Sequence, residues 1–578
     1  MKAKWFSFGC LTSIIVLIII FITSITAISR MSKGLADNFR IKKTAPGSFL
    51  HLKLSGSIAT YNEFDNSAFN QTMPATHEIV QKIRKAADDK NIDGILLEPR
   101  YIACGYANLN EIMAALEDFR AADKPVYAYL DFTFNQDYYL ASIADRIYLN
   151  PSASAGILLT GVGGNVLFYK DLLDKIGVEV NVVHAGKYKG AGETFSRTGF
   201  SEPVKKNLNR LYDSYYSKIL EVIAANRSLS AEEIRFIYES REDLFISQEK
   251  ALEYNLVDEL LFRNELLTDL NLDEKLVSLD QFQSFSKIPA GYKIAVVYAQ
   301  GNIAPSNSFA ARSNLSASKI NPILDKLQKD NSIKAIVLRV NSPGGSALIS
   351  EVITNKISQV MKHKPVVISM GNVAASGGYY ISSNSDYIFA DDFTITGSIG
   401  VVSMLMNINE LADKFGVSVE DMGRGKFADA FSIYEKPGKA EIEGLRNSIE
   451  KTYIEFKSRV SEGRSMPIEE IEKIAQGQVW SSNDALENGL IDEIGLLSDA
   501  IKKAAELAGA SSYKVAYYPQ QKNFLEELLK EKLELDIAAK LLESTVPEEL
   551  KIDKAKSIFE NIKDDPIQTI MPFEIEIK

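Results

Sequence analysis

The sequence predicts an α/β protein in which two tandem βαβ-type domains, related by an internal duplication, follow an N-terminal transmembrane helix. Three observations carry this prediction. Buried-type strands alternate with helical segments along the chain, which is typical of βαβ units. The pattern of residues 46–280 returns in residues 281–512. An apolar run near the start of the chain is long enough to cross a bilayer.

The first element is the uncharged run from Phe6 to Ile28, which Arg30 and Lys33 follow. Its length matches the roughly 20 residues that a membrane-spanning helix needs. A cleaved export signal usually has a shorter apolar core and a cleavage site of small residues, and residues 25–27 make a poor cleavage site. We therefore expect residues 1–45 to form a retained anchor and stem, with a short inside tail and an exported body. A cleaved signal would leave the body in the same compartment.

The body repeats itself with an offset of roughly 240 residues, which is set by aligning Asp145 with Asp386. This period is far longer than that of a solenoid, so it indicates a duplicated domain. The matched stretches are 51–58 with 294–303, 79–98 with 323–339, and 124–149 with 364–390. We expect residues 46–280 to form the first repeat and residues 281–512 the second.

Residues 513–578 are predicted to form an extension built from strands and a helix. Tyr513 to Pro519 reads as a strand, and Asn523 to Glu543 has an amphipathic helical pattern. Pro572 to Lys578 alternates like a strand. We expect the helix to pack on the body rather than to contact a partner.

Composition narrows the classes of function. The chain is 46% hydrophobic and 24% charged, which is ordinary for a globular protein, and 578 residues are too many for one core. A net charge of −11 without a long basic run makes nucleic acid an unexpected partner. Cys10 and Cys104 allow at most one disulfide, and Cys10 lies in the apolar run, so we expect none. The number of cysteines therefore does not indicate whether the protein lies in an oxidising or a reducing compartment.

Two strand-to-helix turns in the second repeat are candidates for a catalytic site. The strand 335–340 ends at a turn that contains Gly344 and Gly345, and the strand 365–370 leads to Ser376 among alanines and glycines. A serine flanked by small residues at a helix start lets a carbonyl approach its hydroxyl. A Gly-Gly turn can aim N–H groups at a developing oxyanion. Each turn alone is more often only a tight connection. The two together favour acyl transfer.

The two repeats differ where this chemistry would lie. Asn135 stands in the first repeat where Ser376 stands in the second, and Glu98-Pro99-Arg100-Tyr101 replaces the Pro-Gly-Gly turn. Conversely, Lys189 of the first repeat aligns with Ala428 of the second. One copy thus carries the serine and the other carries a lysine that the serine copy lacks.

A serine nucleophile needs a base, and the chain has four histidines, none of which follows Ser376: His51, His77, His184 and His363. Chain order does not exclude histidine, and His184 lies close to Lys189 in sequence, but a lone strand histidine is more often structural. A lysine can act as the base if burial keeps it neutral. The alternative for Lys189 is an ordinary surface lysine in a polar loop.

Four motifs together carry a resemblance to a known family: VNSPGGS at 340–346, AASGGYYIS at 374–382, TGSIGV at 396–401 and GKYKGAGE at 186–193. The chain resembles the signal peptide peptidase A (protease IV) family in its long, duplicated form, peptidase family S49 of the Clp protease and crotonase superfamily. The resemblance extends from the anchor to about residue 512. It implies two tandem ClpP/crotonase-like domains.

The resemblance also implies roles for individual residues. Ser376 would be the nucleophile and Lys189 the general base, so that a Ser–Lys dyad is assembled from the two repeats. Gly344 and Gly345 would supply oxyanion donors, and Ser398 would hydrogen-bond and position the lysine. No metal, nucleotide or other cofactor is expected.

Substrates, partners and location are implied in the same way. The expected substrates are cleaved signal peptides and other short apolar peptides. The expected assembly is a homotetramer in the bacterial inner membrane, with one membrane pass per chain and the catalytic body in the periplasm.

Two other functions remain open from the residues alone. A crotonase-like enzyme acting on acyl-CoA would use the same fold and Gly-Gly turn, and a non-catalytic membrane scaffold would keep the duplication and the anchor. Asp391-Asp392 offers two carboxylates of the kind that bind metal ions, but two carboxylates in a turn are usually a solvated loop.

Overall fold

The structure is a computed structural model that describes residues 44–62, 64–65, 73–282, 291–306, 314–420, 422–520, 522–523 and 568–571. The predicted anchor from Phe6 to Ile28, the predicted helix from Asn523 to Glu543 and the predicted strand from Pro572 to Lys578 lie outside this range, apart from Asn523. Within the described range, none of the helices combines the length and the apolar character that crossing a bilayer requires.

The first half of the body contains ten strands and nine helices among its described residues. The strands are β1 (Ser48–Ser57), β2 (Phe64–Asp65), β3 (Ile92–Ala103), β4 (Val126–Leu130), β5 (Phe132–Phe134), β6 (Arg146–Leu149), β7 (Gly156–Leu158), β8 (Glu179–Ala185), β9 (Glu259–Leu260) and β10 (Leu276–Ser278). The helices are α1 (Thr76–Ala87), α2 (Tyr106–Arg120), α3 (Asn135–Ala141), α4 (Lys170–Ile176), α5 (Glu193–Ser196), α6 (Glu202–Arg227), α7 (Ala231–Glu239), α8 (Gln248–Glu253) and α9 (Arg263–Asp269).

The second half repeats this order. Its strands are β11 (Tyr292–Gln300), β12 (Ile333–Ser342), β13 (Gly344–Ser346), β14 (Val366–Ala375), β15 (Tyr387–Ala390), β16 (Ile395–Gly397), β17 (Val401–Asn407), β18 (Val479–Trp480) and β19 (Glu493–Ile494), followed by β20 (Tyr513–Tyr518), β21 (Lys522–Asn523) and β22 (Gln568–Ile570). Its helices are α10 (Ala317–Lys329), α11 (Ala347–Met361), α12 (Gly377–Ser382), α13 (Asn409–Lys414), α14 (Lys439–Arg464), α15 (Ile468–Ile474), α16 (Ser482–Glu487) and α17 (Leu497–Leu507).

Each half is built on a mainly parallel sheet. The first sheet has the order β10-β1-β3-β4-β6-β9, and the second has the order β18-β16-β14-β12-β11-β20; in addition, β15 pairs with β14, and β19 pairs with β15. The central strands β3, β12 and β14 bury most of their side chains because helices cover the sheets. The predicted α/β class and the predicted duplication are both confirmed. The strand expected from Tyr513 is β20, which pairs with β11.

Contacts between the halves are specific as well as apolar. From α2 of the first half, Glu111 pairs with the buried Arg339 of β12 at 3.2 Å. On the same helix, the Ala107 N–H donates to Asn372 Oδ1 at 3.1 Å. A buried charge is tolerated only when it is paired, so this ion pair sets how α2 lies against the second sheet.

A four-stranded sheet crosses from one half to the other, in the order β13-β22-β17-β8. Strands β8 and β17 are antiparallel over their whole length, from Val401 opposite Ala185 to Asn407 opposite Glu179. The loop that follows β8 in the first half is therefore delivered to the strand ends of the second half.

Candidate active site

Ser376 lies at the junction of β14 and α12, where it is fully buried. Its backbone has φ 55° and ψ −116°, a conformation that side-chain-bearing residues rarely adopt and that costs about 1–3 kcal/mol. The turn is held by the Ser376 N–H, which donates to the Gly397 carbonyl at 2.8 Å. A sharp, strained turn of this kind projects a nucleophile away from the strand that carries it.

Lys189 reaches Ser376 from the other half. Its loop follows β8, and the Tyr188 N–H donates to the Gln476 carbonyl at 2.8 Å, which anchors the loop to the second half. The backbone of Lys189 packs so closely against Gly477 that a Cβ added to Gly477 would lie 2.7 Å from the backbone nitrogen of Lys189. Gly477 also has φ +78°, so this close approach requires glycine.

The lysine amine is bonded to two serines. Lys189 Nζ lies 2.7 Å from Ser376 Oγ, 2.9 Å from the Ser398 carbonyl oxygen and 3.0 Å from Ser398 Oγ. Ser398 itself is fully buried, and its N–H donates to the Gln478 carbonyl at 2.6 Å. The structure thus brings Ser376, Lys189 and Ser398 together, although they come from three separate stretches of the chain.

The surroundings of Lys189 favour its neutral form. The residue is 2% exposed, and burial lowers the pKa of its amine well below the ordinary value. Among the described residues, no carboxylate forms an ion pair with Lys189, and burial is what lowers its pKa. A neutral amine at 2.7 Å from a hydroxyl can accept its proton. The alternative of a surface lysine is therefore wrong.

The Gly-Gly turn forms the short strand β13 beside this site. Gly345 has φ +147°, and a Cβ there would lie 2.0 Å from the Ile303 carbonyl oxygen, so only glycine is accommodated. The Gly344 N–H donates to Ser342 Oγ at 3.2 Å. Both glycines are buried. Their assignment as oxyanion donors stays a prediction.

The structure adds Gly377 as a candidate oxyanion donor that the sequence analysis did not name. Gly377 is the first residue of α12 and directly follows Ser376, so its N–H has no acceptor within the helix. The N–H after a nucleophile at a strand-to-helix turn is a recurrent oxyanion donor. The signal was present in the sequence, because the helix start after Ala374-Ala375-Ser376 was predicted.

Two other predictions have clear outcomes. His184, the alternative base, lies on the exposed face of β8, where its Nδ1 contacts the Gly186 carbonyl at 3.0 Å. The expectation that Asp391-Asp392 is a solvated loop is wrong for Asp391. That carboxylate is 1% exposed and accepts hydrogen bonds from Asn110 Nδ2 and from the Phe393 N–H, and burial raises its pKa to about 7.

Two family models match the chain. The model of peptidase family S49 matches residues 118–277 and again residues 358–511, once in each half, and the Clp protease model matches residues 310–387. The double match agrees with the duplication seen in the structure, and the Clp protease match covers the strands around Gly344 and Ser376.

Curated relatives match over most of the chain. Protease 4 of Haemophilus influenzae is 36% identical over 75% of this chain and 73% of its own length, and Protease 4 of Salmonella typhi is 34% identical over 78% and 75%. Serine protease SPPA, chloroplastic, of Arabidopsis thaliana is 31% identical over 81% of this chain and 70% of its own. The family predicted from the four motifs is confirmed. The chain therefore belongs to peptidase family S49 and is a serine protease.

Proposed function

We propose that the chain is a membrane-anchored endopeptidase that uses a Ser376–Lys189 dyad to degrade cleaved signal peptides and other short apolar peptides. The observation that carries the proposal is the 2.7 Å separation of Lys189 Nζ and Ser376 Oγ in a buried setting. A scaffold would not need a strained serine opposite a buried lysine. An acyl-CoA enzyme would not need the serine at all.

In the proposed mechanism, neutral Lys189 takes the proton of the Ser376 hydroxyl as Oγ attacks the peptide carbonyl. Backbone N–H groups of the Gly344-Gly345 turn and of Gly377 stabilise the tetrahedral oxyanion. The C–N bond breaks as the lysinium returns its proton to the leaving amine. The lysine then deprotonates a water molecule, which attacks the acyl ester and releases the acid, and Ser376 regains its proton.

Ser398 has a positioning role in this proposal. Its carbonyl and hydroxyl oxygens both lie within 3.0 Å of Lys189 Nζ. Two fixed acceptors orient the amine hydrogens, which leaves the nitrogen lone pair directed at Ser376 when the amine is neutral. They also stabilise the lysinium that forms during the reaction.

The proposed location is the bacterial inner membrane, with one pass and the body in the periplasm. Support comes from the uncharged run Phe6–Ile28, whose length suits a bilayer span. Anchoring would place the site at the membrane surface, where released signal peptides are concentrated.

We also propose that the chain assembles head to tail into a closed homotetramer. Helix α2 uses Ala107 and Glu111 to contact the second half of its own chain. At the 241-residue offset that relates α2 to α11 (347 minus 106), the corresponding positions of α11 are Leu348 and Val352, which are 65% and 40% exposed. A second copy that repeats the contact made within the chain would cover them, and a repeated heterologous contact forms a ring when its rotation closes.

In this assembly, α11 of one copy would bind the surface of the first half of the next copy that corresponds to the surface bound by α2 within the chain. Glu98 and Asp131 correspond there to Arg339 and Asn372, and they line an open pocket together with His51 and Arg263.

Leu348→Asp should lower the mass of the detergent-solubilised particle in light scattering. Leu244→Asp, at a 63% exposed leucine elsewhere, serves as the control. An unchanged mass for Leu348→Asp, or a wild-type mass below that of four copies, would refute this assembly.

The function is tested by hydrolysis of an apolar fluorogenic peptide and by labelling with a fluorophosphonate. We expect kcat/KM to rise with pH through the pKa of Lys189 and to level off above it, because only the neutral amine accepts the serine proton. Since burial lowers this pKa, the rise should be complete well below the ordinary lysine value of 10.5. Labelling of Ser376 should follow the same pH curve.

A protein that neither cleaves the peptide nor is labelled would favour the scaffold function. Labelling without peptide cleavage would favour another acyl-transfer reaction.

A further inference from the structure

One turn of the second half holds both the loop of the candidate base and Ser398. The turn consists of residues 476–478, which lie between α15 and β18. On one side, the Tyr188 N–H donates to the Gln476 carbonyl at 2.8 Å, and on the other side the Ser398 N–H donates to the Gln478 carbonyl at 2.6 Å. The position of this turn therefore sets how the base loop lies relative to Ser398.

The Lys189 loop depends on this turn because the strand that precedes the loop has ended. The pairing of β8 with β17 stops at Ala185, and Gly186 then turns the chain with φ +106°. A Cβ added to Gly186 would lie 2.5 Å from the carbonyl carbon of Gln476, so the two backbones are in direct contact. Strand pairing fixes β8, but it does not reach the residues that carry the lysine amine to the site.

The side chain of Gln476 adds a second hydrogen bond to the loop. Its Oε1 accepts the Lys187 N–H at 3.1 Å, next to the bond that its carbonyl accepts from the Tyr188 N–H. One glutamine thus holds two consecutive N–H groups directly before Lys189. This matters for catalysis because a displacement of about 1 Å at a reacting group can cost about 10²-fold in rate.

The amide of Gln476 is itself held by residues of α14 and α15. Its Nε2 donates to Glu472 Oε1, and its backbone N–H donates to Tyr453 Oη at 3.1 Å. The Glu472 carboxylate also pairs with Lys457 and accepts the Tyr453 hydroxyl, with both of its oxygens 3.3 Å away. A carboxylate only accepts, so it binds the Nε2 side of the amide and leaves Oε1 for the Lys187 N–H.

The backbone of Gln476 has a conformation that disfavours a side chain. Its φ is +58°, in the left-handed region that favours glycine. A glycine would adopt this φ without strain and would keep the carbonyl that binds Tyr188. It could not supply the bond to the Lys187 N–H. Strain of this kind beside a reacting group points to a functional role for the side chain that causes it.

We propose that Gln476 is a positioning residue for Lys189, and that Glu472 fixes the orientation of the Gln476 amide. The proposal deepens the proposed function and rests on it for its catalytic consequence. Gln476 acts through the loop, because it holds Lys187 and Tyr188 in place and so keeps the lysine amine buried against Ser376.

The test uses the full, detergent-solubilised chain with Gln476→Gly, which removes the side chain and relieves the backbone strain. We expect kcat for an apolar fluorogenic peptide to fall about ten- to a hundredfold with little change in KM, because the base is misplaced and the groove is not. The rise of kcat/KM with pH should move upward by about 0.5 pH unit or more, because a loosened loop admits water and the pKa of Lys189 returns towards its ordinary value.

Asn271→Gly is the matched control for this substitution. Asn271 is exposed in the first half and has φ +53°, so the change also replaces a left-handed residue by glycine. It should keep the wild-type kcat and pH profile, and melting temperatures show whether each variant is folded.

A reciprocal exchange tests the role of Glu472. Gln476→Glu keeps an acceptor for the Lys187 N–H but sets a second carboxylate against Glu472, so kcat should fall at least about tenfold through like-charge repulsion. Adding Glu472→Gln restores one amide and one carboxylate at this contact, and kcat should return to within about threefold of wild type. A double variant no more active than Gln476→Glu would refute the role of Glu472.

Hydrogen exchange separates this proposal from the proposed function. In Gln476→Gly, the Lys187 N–H should exchange at least about tenfold faster by mass spectrometry, whereas the Tyr188 N–H keeps its carbonyl partner. The proposal is overturned if folded Gln476→Gly keeps the wild-type kcat and pH profile, if its Lys187 N–H exchanges at the wild-type rate, or if Asn271→Gly shows the same losses. Faster exchange at Lys187, in a protein whose wild type neither cleaves the peptide nor is labelled by fluorophosphonate, would support Gln476 as the residue that holds the loop and would refute the proposed function.

Discussion

Ser376→Ala and Lys189→Ala are each expected to reduce kcat for peptide hydrolysis at least about 10³-fold in folded protein. The first removes the attacking oxygen, and the second removes the group that accepts its proton, so each single change disables the same step. The double variant should therefore be no less active than either single one. The measurement is single-turnover hydrolysis of an apolar fluorogenic peptide, with circular dichroism to confirm folding.

Two matched variants make this test specific for the lysine. Lys189→Arg keeps a long cationic side chain but cannot supply a neutral amine, so it should be as inactive as Lys189→Ala. His184→Ala should retain wild-type kcat, because His184 is exposed and contacts Gly186 rather than the dyad. Activity that survives in Lys189→Ala but disappears in His184→Ala would assign the base to the histidine.

Gly345→Ala is expected to reduce kcat by about 10² to 10³-fold, the loss typical for an oxyanion donor that is displaced. The added Cβ would lie 2.0 Å from the Ile303 carbonyl oxygen, so β13 must shift, and φ of +147° is unfavourable for alanine as well. The N–H groups of the turn then no longer point at the developing charge. The readout is kcat together with the rate of fluorophosphonate labelling.

Gly416→Ala is the control for backbone strain alone. Gly416 has φ +71° with open space around it, so an alanine there introduces a strained backbone without a collision. This variant should lose stability but keep kcat. Equal losses of kcat in the two variants would mean that general destabilisation, rather than displacement of β13, explains Gly345→Ala.

The sequence allowed the halves of the site to be recognised separately. Ser376 and the Gly-Gly turn were identified as small-residue breaks after buried strands, and Lys189 was identified because the copy with the serine has Ala428 in its place. These are local patterns. Because the domain is duplicated, aligning the two copies shows which residues one copy has lost. The relation between Lys189 and Ser376 in space was implied only by family resemblance.

What lies far apart in sequence could not be predicted from local patterns. Asp391 reads as a solvated turn, yet it is buried against Asn110 of α2, because packing of the two halves covers it. Likewise, nothing in the sequence of residues 568–571 predicts that residues 568–570 pair with Gly344–Ser346. Strand partners and burial depend on which surfaces meet after folding.

By itself, then, the sequence determined the α/β class, the duplication, the family and the residue types that the chemistry needs, because periodicity and turn residues act over short stretches of chain. The tertiary structure decided the rest. The pairing of β8 with β17 carries Lys189 to within 2.7 Å of Ser376, and burial there lowers the pKa of its amine. An ordinary lysine becomes a candidate base only when folding removes water from it, and that depends on residues nearly 200 positions away (376 minus 189).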